Sequence, residues 1–207
     1  MRIALIATDD ASYDPDHEPA RLGGRAVSLH QLDFALGQGC SKILCLGHGA
    51  APEAIALRHA AERAGAQFQV LRGARDRPAA VRGDDELLVF ARGLLPDSLK
   101  AYETLRKGPA ILSLPVQPGA GAGFELLDLT TAWGGAMAIP GRLADRLDML
   151  PEDAEPIAGL LRIARQAGVP ERGLPESELA EGRWSLLRNA EQAAAAEPAW
   201  LRRRLPP

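Results

Sequence analysis

The chain has 207 residues, a formal net charge of -3, and 46% hydrophobic, 25% charged and 4% aromatic residues. Lysine plus arginine (24) nearly balances aspartate plus glutamate (27), so the chain lacks the basic field that draws proteins onto nucleic acid or anionic lipid. Twenty-one glycines and sixteen prolines stay short of the roughly 25–30% that marks low-complexity sequence, so the chain can bury a core.

No apolar run approaches the roughly 18 residues that a spanning helix requires, and no membrane insertion is expected. The longest charge-free stretch, 108–124, contains Pro109, Pro115 and Pro118 and ends in Gly119-Ala-Gly-Ala-Gly123, which reads as a strand followed by a loop. The apolar residues after Met1 are too few for a secretory signal and run into Asp9 and Asp10, which implies a cytoplasmic protein. Cys40 and Cys45 have neither the Cys-x-x-Cys spacing of a redox or zinc site nor partners for a disulfide framework.

In chain order, Ile3 to Ala7 is a first apolar strand, followed by a long polar segment holding Pro15 and Pro19. Leu29, Leu32 and Leu36 share one face of a helix expected from Val27 to Gln38, stopped by Gly39. Lys42 to Gly47 is a second strand. Pro52 opens a second helix, with Ala54, Leu57, Ala61 and Ala64 on its apolar side and Gly65 at its end. Gln67 to Leu71, Glu86 to Ala91 and Ala110 to Leu114 complete a set of five strands, and this interleaving with helices predicts an α/β fold with a mostly parallel sheet. Phe124 to Leu129 and Ala132 to Ile139 are expected as a partly antiparallel edge. Helices are expected at 143–150 and 156–167 and across a tail holding Trp184, Leu187 and Ala193 to Ala196. Residues 1–170 are read as one α/β domain and 171–207 as a helical extension packed on it, with Arg202-Arg203-Arg204 as a solvated terminus or, alternatively, a contact for phosphate or a partner.

Chemistry concentrates between the first strand and first helix. Gly23 and Gly24 precede the helix, whose N-terminus offers unpaired N–H groups and the positive end of a dipole, and Arg21 and Arg25 flank them. Guanidinium groups can hold phosphate or carboxylate in a bidentate manner, so this is a candidate anion site. A dinucleotide-binding fingerprint is absent, because Ala7-Thr8-Asp9-Asp10 follows the first strand without glycine; Gly119 to Gly123 lacks the lysine of a phosphate loop; and His17, His30, His48 and His59 lack metal-ligand spacing.

Three segments together resemble a known family. Leu22-Gly-Gly-Arg-Ala-Val27 entering a helix, Asp84-Asp-Glu-Leu-Leu-Val-Phe-Ala91 and Thr131-Ala-Trp-Gly-Gly-Ala-Met-Ala-Ile-Pro140 are similar to motifs of nucleotidyltransferases with the glycosyltransferase-A-type fold. The resemblance implies a single mixed sheet sandwiched by helices, a nucleotide or a sugar or polyol phosphate as ligand, and Mg²⁺ if the chain is catalytically active. It places sugar-phosphate contacts near Glu125 and Asp128, and a metal held by Asp128 or by a loop acid such as Asp9. The chain departs from the family's pattern in three places, the first being the lysine of the family's Pro-Lys step, which falls near Pro19-Ala20-Arg21 so that only Arg21 can stand in. The glycines of the nucleotide loop are missing from Ile6-Ala-Thr-Asp-Asp-Ala-Ser12, and Arg92 falls where the metal-binding aspartate belongs. The expected substrate-binding set is therefore Arg21, Gly23, Gly24, Arg25, Arg92, Glu125 and Asp128, in a relative that has lost catalysis and binds a phosphorylated ligand or a protein partner, with a homo-oligomer also compatible. An active enzyme joining a nucleoside triphosphate to a sugar or polyol phosphate is the alternative.

Overall fold

The computed structural model describes residues 1–8, 20–71, 80–149, 151 and 154–204. Among them a seven-stranded sheet runs, from one edge to the other, β5 (Gln67–Leu71), β4 (Lys42–Leu46), β1 (Arg2–Ala7), β6 (Glu86–Phe90), β9 (Thr131–Pro140), β8 (Ala110–Pro115) and β10 (Glu171–Gly173). Every neighbouring pair is parallel except those of β9, which runs against both β6 and β8. The five strands expected from apolar runs all lie in this sheet. β9 is an internal strand and not the edge that the sequence pattern suggested.

The continuous apolar runs reflect burial on both faces. Ala4 and Ile6 of β1, Ile43 and Cys45 of β4, and Leu88 and Phe90 of β6 enter one core, whereas Ile3 and Leu5, Leu44 and Leu46, and Leu87 and Val89 enter the other. The first core is covered by α1 (Val27–Gly37), α2 (Pro52–Arg63) and α3 (Leu99–Arg106), through Leu32, Phe34, Leu57, Ala101 and Leu105. The second is covered by a 3-10 helix (Gly141–Met149) and α5 (Pro156–Gln166), through Leu143, Leu147, Leu160 and Leu161. Pro52 sits in the first turn of α2, where its missing N–H would have had no intrahelical partner.

Two expectations for the middle of the chain are corrected. Residues 119–121 are not loop but the end of α4 (Val116–Gly121), which packs on β9. Gly119 is buried, and a Cβ there would stand 2.8 Å from the Cβ of Ala132, so its glycine serves close approach rather than flexibility. Phe124 to Leu129 is not a strand; it makes one isolated bridge, Leu126 to Ala132. The Asp128 carboxylate diverts it, accepting the backbone N–H groups of Thr130 and Thr131 at 2.7 and 2.9 Å and closing a turn before β9 begins.

Beyond α5, the carboxyl-terminal residues supply β10, α6 (Glu176–Ala180), β11 (Trp184–Leu186) and α7 (Ala190–Arg204). β11 pairs antiparallel with β7 (Leu94–Pro96) in a separate two-stranded ribbon, so Trp184 belongs to a strand and not to the tail helix. Its side chain is fully buried, its indole N–H donates to the Gly134 carbonyl at 2.6 Å, and its ring meets Phe34 edge-on. This one residue ties the carboxyl-terminal segment to both β9 and α1. Trp184→Ala is expected to lower stability by about 3–5 kcal/mol, read from the chemical denaturation midpoint.

Candidate functional site

Parallel strands deliver their carboxyl ends to one side of a sheet, where helix N-termini also converge, and ligands of open α/β sheets bind there. A small cavity of about 20 Å³ occupies that position, lined by Ala7 at the end of β1, Val27 and Ser28 at the start of α1, Glu53 at the start of α2, and Arg92, Gly93 and Arg188. Ser28 is buried and its hydroxyl donates to the Glu53 carboxylate at 2.5 Å. Glu53 stands in the first turn of α2, where the helix dipole favours a negative charge.

Arg92 sits on a tight turn that links β6 to β7. The Leu94 N–H donates to the Ala91 carbonyl at 3.2 Å, and Gly93 adopts φ +73°, a left-handed conformation that costs other residues strain. A Cβ on Gly93 would also meet the Leu187 carbonyl oxygen at 2.6 Å. The Leu187 N–H donates to the Gly93 carbonyl at 2.7 Å, and the next residue, Arg188, donates through its guanidinium to the Gly123 carbonyl at 2.9 Å. The carboxyl-terminal segment thus completes the crevice wall and spans it.

The Gly23-Gly24 step lies elsewhere. It is the two-residue turn of a hairpin between β2 (Arg21–Leu22) and β3 (Arg25–Ala26), with φ of +59° and +73°, the twist that favours glycine at both positions. It is therefore a hairpin turn and not the helix N-terminus expected from sequence. Its exposed N–H already has an anion: the Gly23 N–H donates to the Glu197 carboxylate of α7 at 2.8 Å. The arginines beside it are engaged locally, Arg25 with Asp33 at 2.7 Å and Arg21 with the Gly24 carbonyl at 3.4 Å, and neither lines the described cavity.

The tail that holds this hairpin is not a solvated terminus. Trp200 packs where Gly23 lacks a side chain, Arg204 stacks over Trp200 at 4.1 Å, and Arg204 pairs with Asp97 at 2.7 and 2.9 Å. Arg203 donates to the carbonyls of Glu181 and Gly182. Leu22, Val27, Leu95, Leu187 and Ala193 form a small third core beneath.

Glu125 and Asp128 are exposed. The Glu125 carbonyl accepts the Trp133 N–H at 2.7 Å. The Asp128 carboxyl is held down to about 2 by the backbone N–H of Thr130, then by the Thr130 hydroxyl and the N–H and hydroxyl of Thr131. Both of its oxygens are thereby committed to the turn. Asp9 lies outside the described residues. The fit to Mg²⁺ is poor among the described residues: the Arg92 guanidinium belongs to the turn after β6, and no three histidine, cysteine, aspartate or glutamate side chains gather as a ligand set. Ser28, Glu53 and Arg188 went unrecognised in the sequence. Glu53 after Pro52 carries a helix-start signal, but nothing local announces its pairing with Ser28.

This architecture, with its sheet order, internal antiparallel β9 and crevice at the carboxyl ends of β1 and β6, is the nucleotidyltransferase fold of glycosyltransferase-A type. A solved 4-diphosphocytidyl-2C-methyl-D-erythritol synthase matches 96% of this chain over 97% of its own at a TM-score of 0.63 and 13% identity. A nucleotidyl transferase from Methanothermobacter thermautotroptrophicus matches 98% of this chain over 99% of its own at 0.58 and 16%. No family model matches the chain, and no curated protein does. At these identities the likeness is one of fold.

His30 joins hairpin and tail. Its Nε2 lies 3.0 Å from the Leu22 carbonyl, and its ring meets Trp200 edge-on. Burial lowers its pKa below the ordinary 6.5; the Leu22 carbonyl opposes this, Arg25 lowers it again, Asp33 raises it, and Arg204 lowers it. The unfolded chain thus takes up the proton more readily than the folded one, so stability is full above about 6.5 and declines as pH falls below it. A melting temperature that falls through this window in the parent chain, and falls less in His30→Gln, is the expected result.

Proposed function

We propose that the chain binds a phosphorylated ligand, a nucleotide or a sugar or polyol phosphate, in the crevice at the carboxyl ends of β1 and β6, and that it has lost nucleotidyl transfer. The supporting observation is Arg92, presented to the crevice by the turn after β6, with Arg188 in the same wall. Two guanidinium groups suit phosphate oxygens, to which they can donate in pairs. The same charge opposes a divalent cation, by about 4 kcal/mol per unit charge at 4 Å and an effective dielectric of 20.

In this reading Arg92 supplies the charge that a metal supplies in an active transferase, so the ligand is held without the ion. A guanidinium can neutralise a phosphate, but it does not bring two oxygens into line for displacement as a metal can. Of the hairpin residues, Gly23 contributes indirectly, by seating α7, and Arg21, Gly24 and Arg25 keep the hairpin in shape, while Glu125 and Asp128 shape the loop before β9.

Nucleoside triphosphates and sugar phosphates, tested singly with and without Mg²⁺ in a thermal-shift assay, are expected to include at least one that stabilises the chain equally in both conditions. Saturation at a hundred times the dissociation constant corresponds to about 2.7 kcal/mol. Arg92→Ala should greatly reduce the shift, and pyrophosphate release in mixtures of triphosphate, sugar phosphate and Mg²⁺ should stay at background. Turnover that disappears in Asp128→Ala or Asp9→Ala would instead establish an active enzyme with its metal on those acids.

A further inference from the structure

We propose that Gln31 is a positioning residue for Arg92, and that its side-chain amide sets the anion affinity of the crevice; this rests on the reading that Arg92 holds the phosphate. Gln31 lies on α1 and is 1% exposed. Its Nε2 donates to the Ala91 carbonyl at 3.0 Å and to the Leu94 carbonyl at 2.8 Å, the first and last residues of the turn that carries Arg92 and Gly93. One amide therefore bridges both ends of a four-residue turn from a different element. Two further bonds complete the clamp, Ala91 N–H to the Gly135 carbonyl of β9 at 2.6 Å and Leu187 N–H to the Gly93 carbonyl at 2.7 Å.

The chemistry of the position argues against simple filling. The Gln31 Oε1 is buried with no hydrogen-bond partner among the described residues, a cost that an aliphatic side chain of similar length would avoid. What an aliphatic chain could not supply is the pair of donors. A flipped amide would set its oxygen against two carbonyls, so the donors must face the turn. Arginine is long and rotamer-rich, and its affinity for an anion depends on how firmly its backbone is held. Four hydrogen bonds from three segments hold that backbone here, and among the described residues the Gln31 amide is the group that bonds to both of its ends.

The test is inorganic pyrophosphate binding to the full chain, read by NMR titration so that millimolar affinities are measurable, for the parent, Gln31→Met, Arg92→Ala and the double variant. Gln31→Met should weaken binding on the order of tenfold in the parent and leave it unchanged in the Arg92→Ala background. A residue with a merely structural role would weaken both alike, and that result, or parental affinity in Gln31→Met, would overturn the inference. Parental affinity in Arg92→Ala would remove the phosphate reading of Arg92, and the inference with it. Loss of binding in Arg92→Ala, with none in Gln31→Met, would remove the inference alone. Should Gln31→Met fail to fold, Gln31→Glu keeps the shape and, when protonated, one donor. Its affinity relative to the parent should then rise as pH falls, and a flat ratio would overturn the proposal.

Discussion

Burial of the central sheet on both faces is the constraint from which the other features follow. Strands β1, β4 and β6 send alternate side chains into two separate cores, so almost no position along them is available for a polar group. Polar chemistry is pushed to the strand ends, and parallel pairing gathers those ends on one side. The turn after β6 is the strand end nearest the middle of the sheet, and the residue at its corner is Arg92. The fold thus sets a cationic side chain on the wall of the crevice at the carboxyl ends of the strands.

The carboxyl-terminal segment is joined to that arrangement at several points. Trp184 bonds to β9, Leu187 to Gly93, Arg188 to Gly123 and Glu197 to Gly23. Three of these partners are glycines at positive φ or their carbonyls, backbone positions that offer hydrogen bonds without side chains in the way. The segment thereby spans the crevice wall, the hairpin and the loop ahead of β9. Stability of the tail and geometry of the crevice are one property.

The sheet was legible because its signal is local. Ile3 to Ala7 or Ala110 to Leu114 can be read as buried strands from their own residues, and the alternation with helices then limits the topology. β9 misled because internal and edge strands of an antiparallel pair have the same apolar pattern, and Phe124 to Leu129 misled because its apolar residues outvoted one aspartate whose side chain folds the segment into a turn. Arg92 was legible through its place after β6. Ser28 with Glu53, Gln31 and Arg188 were not, since each acquires its role from a partner 25 to 65 residues away. The Gly23-Gly24 step has the sequence of a place for an anion, and its N–H does hold one, but the carboxylate comes from the chain's own far end, 174 residues away.

The contact between Gly23 and Trp200 couples two distant positions. Two carbons of the indole stand 2.7 Å from where a Cβ on residue 23 would be, so the large ring exists at 200 because there is no side chain at 23. Each position sets the permitted size of the other. A chain that acquired even alanine at 23 would need a smaller residue at 200, and would then lose the platform on which Arg204 stacks and the ring that His30 meets. The hairpin and the tail can therefore drift in sequence only as a pair, and a hybrid joining the first half of one such protein to the tail of another would leave either a collision or a hole at this point.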